Sequence, residues 1–264
     1  MRVQFIDPIE KRLNRAKEQI FELEKDIVRW LEQNPIKFKI EYRENQFGYN
    51  IYREELDTSS LSSFGFKSGE CIHNMRSSLD ILAFALAKIK CDPPEKTSTI
   101  YFPIFTDEDK FNSKLRILNF NFTPEVVNIM RNIQPFQRKN PGVIGEPEND
   151  PLAILSLLSN IDKHRSSISA EMTPAELEKN IQVKFATPED AAMNCPPKVI
   201  FHGIQPGLIM EYRTNKPIEL TNFDLNLKAH LVIRFEDKGE VIPDILSYIY
   251  SYIHLVVNEF RKFL

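Results

Sequence analysis

Two short runs hold the residue types that acid–base chemistry needs, His73-Asn74-Met75-Arg76-Ser77-Ser78-Leu79-Asp80 and Asn160-Ile161-Asp162-Lys163-His164-Arg165. Each interrupts a segment whose remaining apolar residues recur at helical spacing. Taking ionisable groups out of water is costly unless they are paired or hydrogen-bonded, so a chain that keeps them on core-facing helices has a structural or a chemical use for them.

At about 100° per residue, Ile72, Met75, Leu79, Leu82, Leu86 and Ile89 form one apolar stripe. His73, Arg76 and Asp80 then lie within about 60° of one another on its flank, while Asn74 and Ser78 point to solvent. On the second helix Leu157 and Ile161 centre the expected buried face, with Asn160 and His164 on one flank and Arg165 on the other. Side-by-side packing of the two helices brings these polar residues into one cavity. The candidate catalytic residues are His73, His164 and Asp80, and the candidate anion-binding residues are Arg76, Arg165 and Asn160.

Two imidazoles that titrate near neutrality, a carboxylate to orient them and two guanidinium groups suit phosphodiester cleavage without a metal ion. One histidine takes a proton from a nucleophilic hydroxyl, the other protonates the leaving oxygen, and the arginines stabilise charge on the phosphoryl oxygens. RNA or a nucleotide-like anion is the partner this inventory implies. A competing structural reading makes Asp80 a buried carboxylate satisfied by Arg76, Arg165 or a histidine, with Lys163, His164 and Arg165 complementing the negative end of a helix dipole. The same residues would then serve a non-catalytic binding or interaction module. A metal site of His73, His164 and Asp80 is disfavoured, because no HExxH-type spacing sets two ligands on one face and the arginines repel a cation. No metal or cofactor is therefore expected.

The remaining candidates carry less chemistry. Glycine loops of the GxxxxGKS or GxGxxG kind are absent, which argues against P-loop nucleotide hydrolysis and dinucleotide redox chemistry. Cys71 and His73, two apart on a helix, do not face each other. His202, His230 and His254 occur singly and read as satisfied or exposed side chains.

The elements that must position these groups follow from periodicity. Ile9, Leu13, Ala16, Ile20, Leu23, Ile27 and Trp30 mark a long amphipathic helix that ends before Pro35. Its near-heptad seam suits an intramolecular bundle, or alternatively a homodimer through this helix. Residues 37–55 alternate as a hairpin around Asn45-Gln46-Phe47-Gly48, and Ser68 is the expected cap of a helix running to about Lys90. Phe102-Pro103-Ile104-Phe105 and Gln134-Pro135-Phe136 read as turns or short strands, with short helices over 107–116 and 123–132. Asp150 as N-cap and Pro151 at the first helical position open the helix of the second run. Strands follow at 181–185, 198–204, 208–213 and 227–236, and a closing helix over 243–262 is the natural partner of the first. The fold class is α+β, a helical layer packed with a mostly antiparallel sheet from the C-terminal half plus the early hairpin. One domain is expected over 1–264, helical to about 166, strand-rich over about 167–240 and closed by the final helix.

Composition sets the outer limits. The 264 residues are 42% hydrophobic and 27% charged with a net charge of −3. That balance excludes a general attraction to polyanions and leaves only local basic patches. Three scattered cysteines form no CxxC pair and read as reduced thiols. With no signal-peptide pattern and no apolar run of membrane-spanning length, a cytoplasmic location away from membranes is expected.

Read in order, the HNxRSxLD run at 73–80, Phe102-Pro103-Ile104, Ile133-Gln134-Pro135-Phe136 and the NxDKHR run at 160–165 resemble a family of uncharacterised bacterial and phage proteins over residues 65–170. That resemblance implies no activity. A looser, architectural resemblance links the chain to the HEPN superfamily of helical ribonucleases and nucleotide-binding domains, which also place polar catalytic residues on packed helices. The superfamily's motif, an arginine followed by four to six residues and a histidine, has no counterpart here, so no residue role carries over.

Overall fold

The computed structural model describes residues 6–139, 145–164, 168–194, 196–235 and 237–264, the side chain of His164 excepted. The fold is α+β, with helices and two antiparallel sheets. Its contacts gather into two compact units. A helical unit comprises Met1–Asp26, Leu61–Ala170 and Ile233–Leu264, and a sheet unit comprises Ile27–Ser60 and Glu171–Val232.

Helix α1 spans Ile6–Gln33, and its stripe Ile9, Leu13, Ala16, Ile20, Leu23 and Ile27 is buried within the chain, as an intramolecular bundle requires. Helix α2, Ser62–Lys90, begins nearly two turns before the expected cap. Ser68 is fully buried inside it and bonds back to the Phe64 carbonyl at 2.7 Å, so it caps nothing. Gly65 and Gly69 depress helix propensity there but are needed for close approach: a Cβ on Gly65 would sit 1.8 Å from the Ile168 carbonyl oxygen.

Asp107 and Thr123 cap α3 (Glu108–Asn121) and α4 (Pro124–Asn132). Asp150 accepts the Leu152 N–H at 2.9 Å and opens α5, Pro151–His164, where the Asp-Pro signal places it. Arg138 holds the same nearly buried carboxylate at 2.7 Å. The final helix, numbered α7 after the short α6 (Pro188–Met193), covers Ile242–Phe260 and packs closely on α2 and α5. Its expected partner α1 is tied to the residue after it by the Glu10–Arg261 ion pair. No helix among the described residues is long and apolar enough to cross a membrane.

In the sheet unit the hairpin β1 (Phe38–Tyr42) and β2 (Gly48–Arg53) joins the later strands β4 (Lys198–Phe201) and β5 (Gly207–Arg213), in the order β1-β2-β5-β4. The register pairs Asn50 with both Glu41 and Glu211. Two long strands, β3 (Ala170–Phe185) and β6 (Ile218–Phe235), form a second sheet with β7 (Lys238–Val241). Within the unit, Tyr49, Ile51, Ile209 and Ile218 make a buried cluster against which Ile181, Val183 and Phe223 pack. Both long strands extend beyond the segments their alternation suggested. Pro174 lies inside β3, which is tolerated because β3 is an edge strand and loses no ladder bond on its open side.

Candidate functional site

The two polar runs divide into a scaffold and a cavity. Arg76 and Asp80 form the expected i,i+4 pair, with Arg76 Nη2 donating to Asp80 Oδ1 at 2.9 Å. Both also end on one backbone residue. Asp80 Oδ1 accepts the Phe102 N–H at 3.0 Å, and Arg76 Nη2 donates to the Phe102 carbonyl at 2.9 Å. Phe102 is fully buried and has no secondary-structure partner, so this clip satisfies both of its main-chain polar groups.

Gln134 continues the same task. It is 2% exposed, donates to the carbonyls of Pro103 at 3.0 Å and Met130 at 2.9 Å, and accepts the Phe105 N–H at 2.8 Å. The Phe136 N–H closes on the Phe105 carbonyl at 3.3 Å. The Phe-Pro-Ile-Phe segment is therefore irregular backbone held by side chains of α2 and Gln134, where turns or short strands were expected. Its rings make edge contacts, Phe102 with Phe260 at 6.2 Å and Phe105 with Phe111 at 6.0 Å.

His73 stands apart from this clip. It is exposed, with Ser77 Oγ 3.4 Å from Nε2, and lines a cavity of about 360 Å³ in the helical unit. Arg12 and Gln19 reach it from α1, Phe66, Glu70 and Asn74 from α2, and Asp162 from α5. Asn74 was expected in solvent but is 7% exposed, and Ser78 is fully buried. The reason is that α2 buries side chains around most of its circumference, which a single-stripe reading does not anticipate. Arg12 Nη1 donates to Asn74 Oδ1 at 2.8 Å, and Asn74 Nδ2 donates to Gln19 Oε1 at 2.7 Å. A fixed relay thus holds one guanidinium at the cavity wall.

The second run meets the first through Asp162. Helix α5 buries Leu152, Leu155, Leu158 and Ser159, while Leu157 and Ile161, the expected centre, are only half-buried. At about 100° per residue Asp162 continues the row of Leu155, Leu158 and Ser159. It faces Gly69 of α2, where an added Cβ would lie 2.6 Å from Asp162 Oδ1. The same rotation leaves Asn160 exposed and away from this row. His164 ends α5, and its side chain, like the whole of Arg165, lies outside the described residues. Sequence reasoning missed Arg12, Gln19, Glu70 and Asp162. Asp162 was findable as i+4 from Leu158, whereas the α1 residues needed a long-range contact to be known.

Burial pushes the Cys71 thiol up to about 12, with Glu70 adding to the rise, so it is a protonated core side chain and no nucleophile beside His73. Cys71 and Cys91 are free thiols, and Cys195 lies outside the described residues. Among the described residues no group of three His, Cys, Asp or Glu side chains is placed to hold a metal ion. No protein-family model, curated protein or solved structure matches the chain.

Proposed function

We propose that the protein binds single-stranded RNA, or a nucleotide-like fragment of it, in the cavity of the helical unit and cleaves a phosphodiester there without a metal ion. The observation that carries this reading is that His73 and Asn74 of one polar run share a cavity with Asp162 of the other and with a positioned Arg12. Arg12 is the cationic partner for the phosphoryl oxygens, the role first sought in Arg76 and Arg165. Phe66, 63% exposed at the cavity, offers a face for base stacking, and Glu70 and Asp162 accept hydrogen bonds from ribose hydroxyls. His73 removes the proton from a 2′-hydroxyl; that oxygen attacks phosphorus, the bond to the 5′-oxygen breaks, and the leaving oxygen takes a proton from water.

A non-catalytic reading is favoured by one observation, the Phe102 clip, which gives Arg76 and Asp80 a scaffold role. In that reading the cavity binds and releases its ligand unchanged. Incubation with a short RNA carrying hydroxyls at both ends separates the two. Cleavage to a 2′,3′-cyclic phosphate, insensitive to chelator and reduced about 100-fold or more in His73→Ala, supports catalysis. Binding that depends on Arg12 with no product supports the module, and an RNA that neither binds nor reacts overturns both.

A further inference from the structure

The sheet unit contains a second polar construction that the polar runs did not announce. Glu211, on the central strand β5, is 7% exposed, yet three side chains converge on its carboxylate. Arg43 Nη1 donates to Oε2 at 2.7 Å, Arg213 Nε and Nη2 donate to the same oxygen at 2.9 and 2.6 Å, and His202 Nε2 lies 2.8 Å from Oε1. Asn50, on the neighbouring strand, accepts from Arg43 Nη1 at 3.0 Å and fixes that arginine from the other side. The hydrogen bonds from Arg213, then from His202, hold the Glu211 carboxyl down at about 2, so it stays ionised at any ordinary pH.

Both arginines line a cavity of about 560 Å³ whose wall also includes Lys198, Phe47, Asn194 and Asn215. Each guanidinium is anchored through part of its donor set and keeps nitrogens to spare. Among the described residues no hydrogen bond occupies Arg213 Nη1 or Arg43 Nη2, and Lys198 has no ion-pair partner. One carboxylate, Glu44, also lines the cavity, so with Glu211 behind the arginines the pocket remains cationic. Fixed guanidinium forks beside a mobile ammonium match the oxygens of a phosphate monoester better than a single carboxylate, because several donors must converge on one compact dianion. Phe47, 39% exposed, and the Pro196-Pro197 wall supply an apolar surface next to it.

We propose that this pocket of the sheet unit binds a phosphate monoester carried on a flat organic group, as in a nucleoside monophosphate, with Arg43, Arg213 and Lys198 on the phosphate and Phe47 against the ring. The site is separate from the helical cavity and does not rest on the reading given for it. The buried Glu211 sets the geometry by holding both arginines, so binding needs no rearrangement of long side chains, which lowers its entropic cost.

The test is calorimetric titration of the whole protein with AMP, adenosine and inorganic phosphate, on the wild type, Lys198→Glu, Arg213→Gln and Arg12→Ala. The proposal expects AMP to bind, phosphate to compete with it, adenosine to bind at least about tenfold more weakly, and Lys198→Glu to lose about tenfold or more with an unchanged melting temperature. Lys198 is exposed and without an ion-pair partner among the described residues, so this variant keeps the fold even where Arg213→Gln, which strips a partner from Glu211, does not. Adenosine binding as tightly as AMP overturns the proposal, as does AMP binding that survives Lys198→Glu. AMP binding lost only in Arg12→Ala assigns the ligand to the helical cavity and likewise overturns it, while leaving that cavity's reading intact. No binding of AMP or phosphate at millimolar concentration overturns it outright.

Discussion

Arg76 and Asp80 both terminate on the backbone of Phe102, and this fixes what each substitution does. Asp80→Ala leaves a buried N–H and a guanidinium without their acceptor and is expected to cost about 2 kcal/mol, discounted for the partial exposure of the pair. Gln134→Leu removes three hydrogen bonds from the adjoining segment and is expected to cost about 2–3 kcal/mol. His73→Ala, at an exposed position, stays within about 0.5 kcal/mol of the wild type. Urea unfolding midpoints of the three variants check this ranking. The Arg76–Asp80 pair was legible from its i,i+4 spacing; its target was not, because Phe102 lies on a segment with no periodic signal. Asn74 was misread for a related reason, since its partners Arg12 and Gln19 sit far earlier in the chain, on α1.

The elements were most readable where capping chemistry marks them. Asp107, Thr123 and Asp150 each open a helix at the position their side chains dictate. Asp150→Ala loses both a cap and the Arg138 pair and is expected to cost about 2 kcal/mol, read as a lower denaturation midpoint. The start of α2 was less readable, because its two glycines argue against a helix locally while close packing demands them. Gly65→Ala drives a Cβ against the Ile168 carbonyl and is expected to lower stability by about 2 kcal/mol or more, seen in the same midpoint. Gly69→Ala meets only the movable end of the Asp162 side chain, so a smaller loss and an altered ligand cavity are expected there. In the strands, Pro174 hid the first half of β3, since a proline inside a strand is readable only once the strand is known to be at an edge.

At the scale of the whole molecule, the order of helices, then strands, then a closing helix pointed to the α+β class, and the early hairpin does pair with the later strands. The division into a helical and a sheet unit was not readable, because each unit is assembled from separated stretches of the chain. The sheet unit carries its own pH dependence through Glu211. Its folded pKa of about 2 lies below the ordinary 4.5, so the stability it contributes is complete above about 4.5 and is lost as pH falls through about 2. An acid titration followed by tyrosine near-UV dichroism, where Tyr49 and Tyr212 stack at 4.9 Å, should show this loss, and Glu211→Gln should remove the dependence in that window.

The central claim is that the two polar runs serve different ends, with Arg76 and Asp80 holding the fold and His73, Arg12 and Asp162 meeting a ligand. Thermal unfolding of wild type, His73→Ala and Asp80→Ala, with and without a short RNA bearing hydroxyls at both ends, tests it most directly, because a ligand raises the melting temperature only of a protein whose folded state binds it. The account predicts that His73→Ala melts with the wild type but loses the RNA-induced shift, whereas Asp80→Ala melts lower and keeps it. A His73→Ala protein that melts low, or an Asp80→Ala protein that keeps its stability and loses the shift, would contradict it.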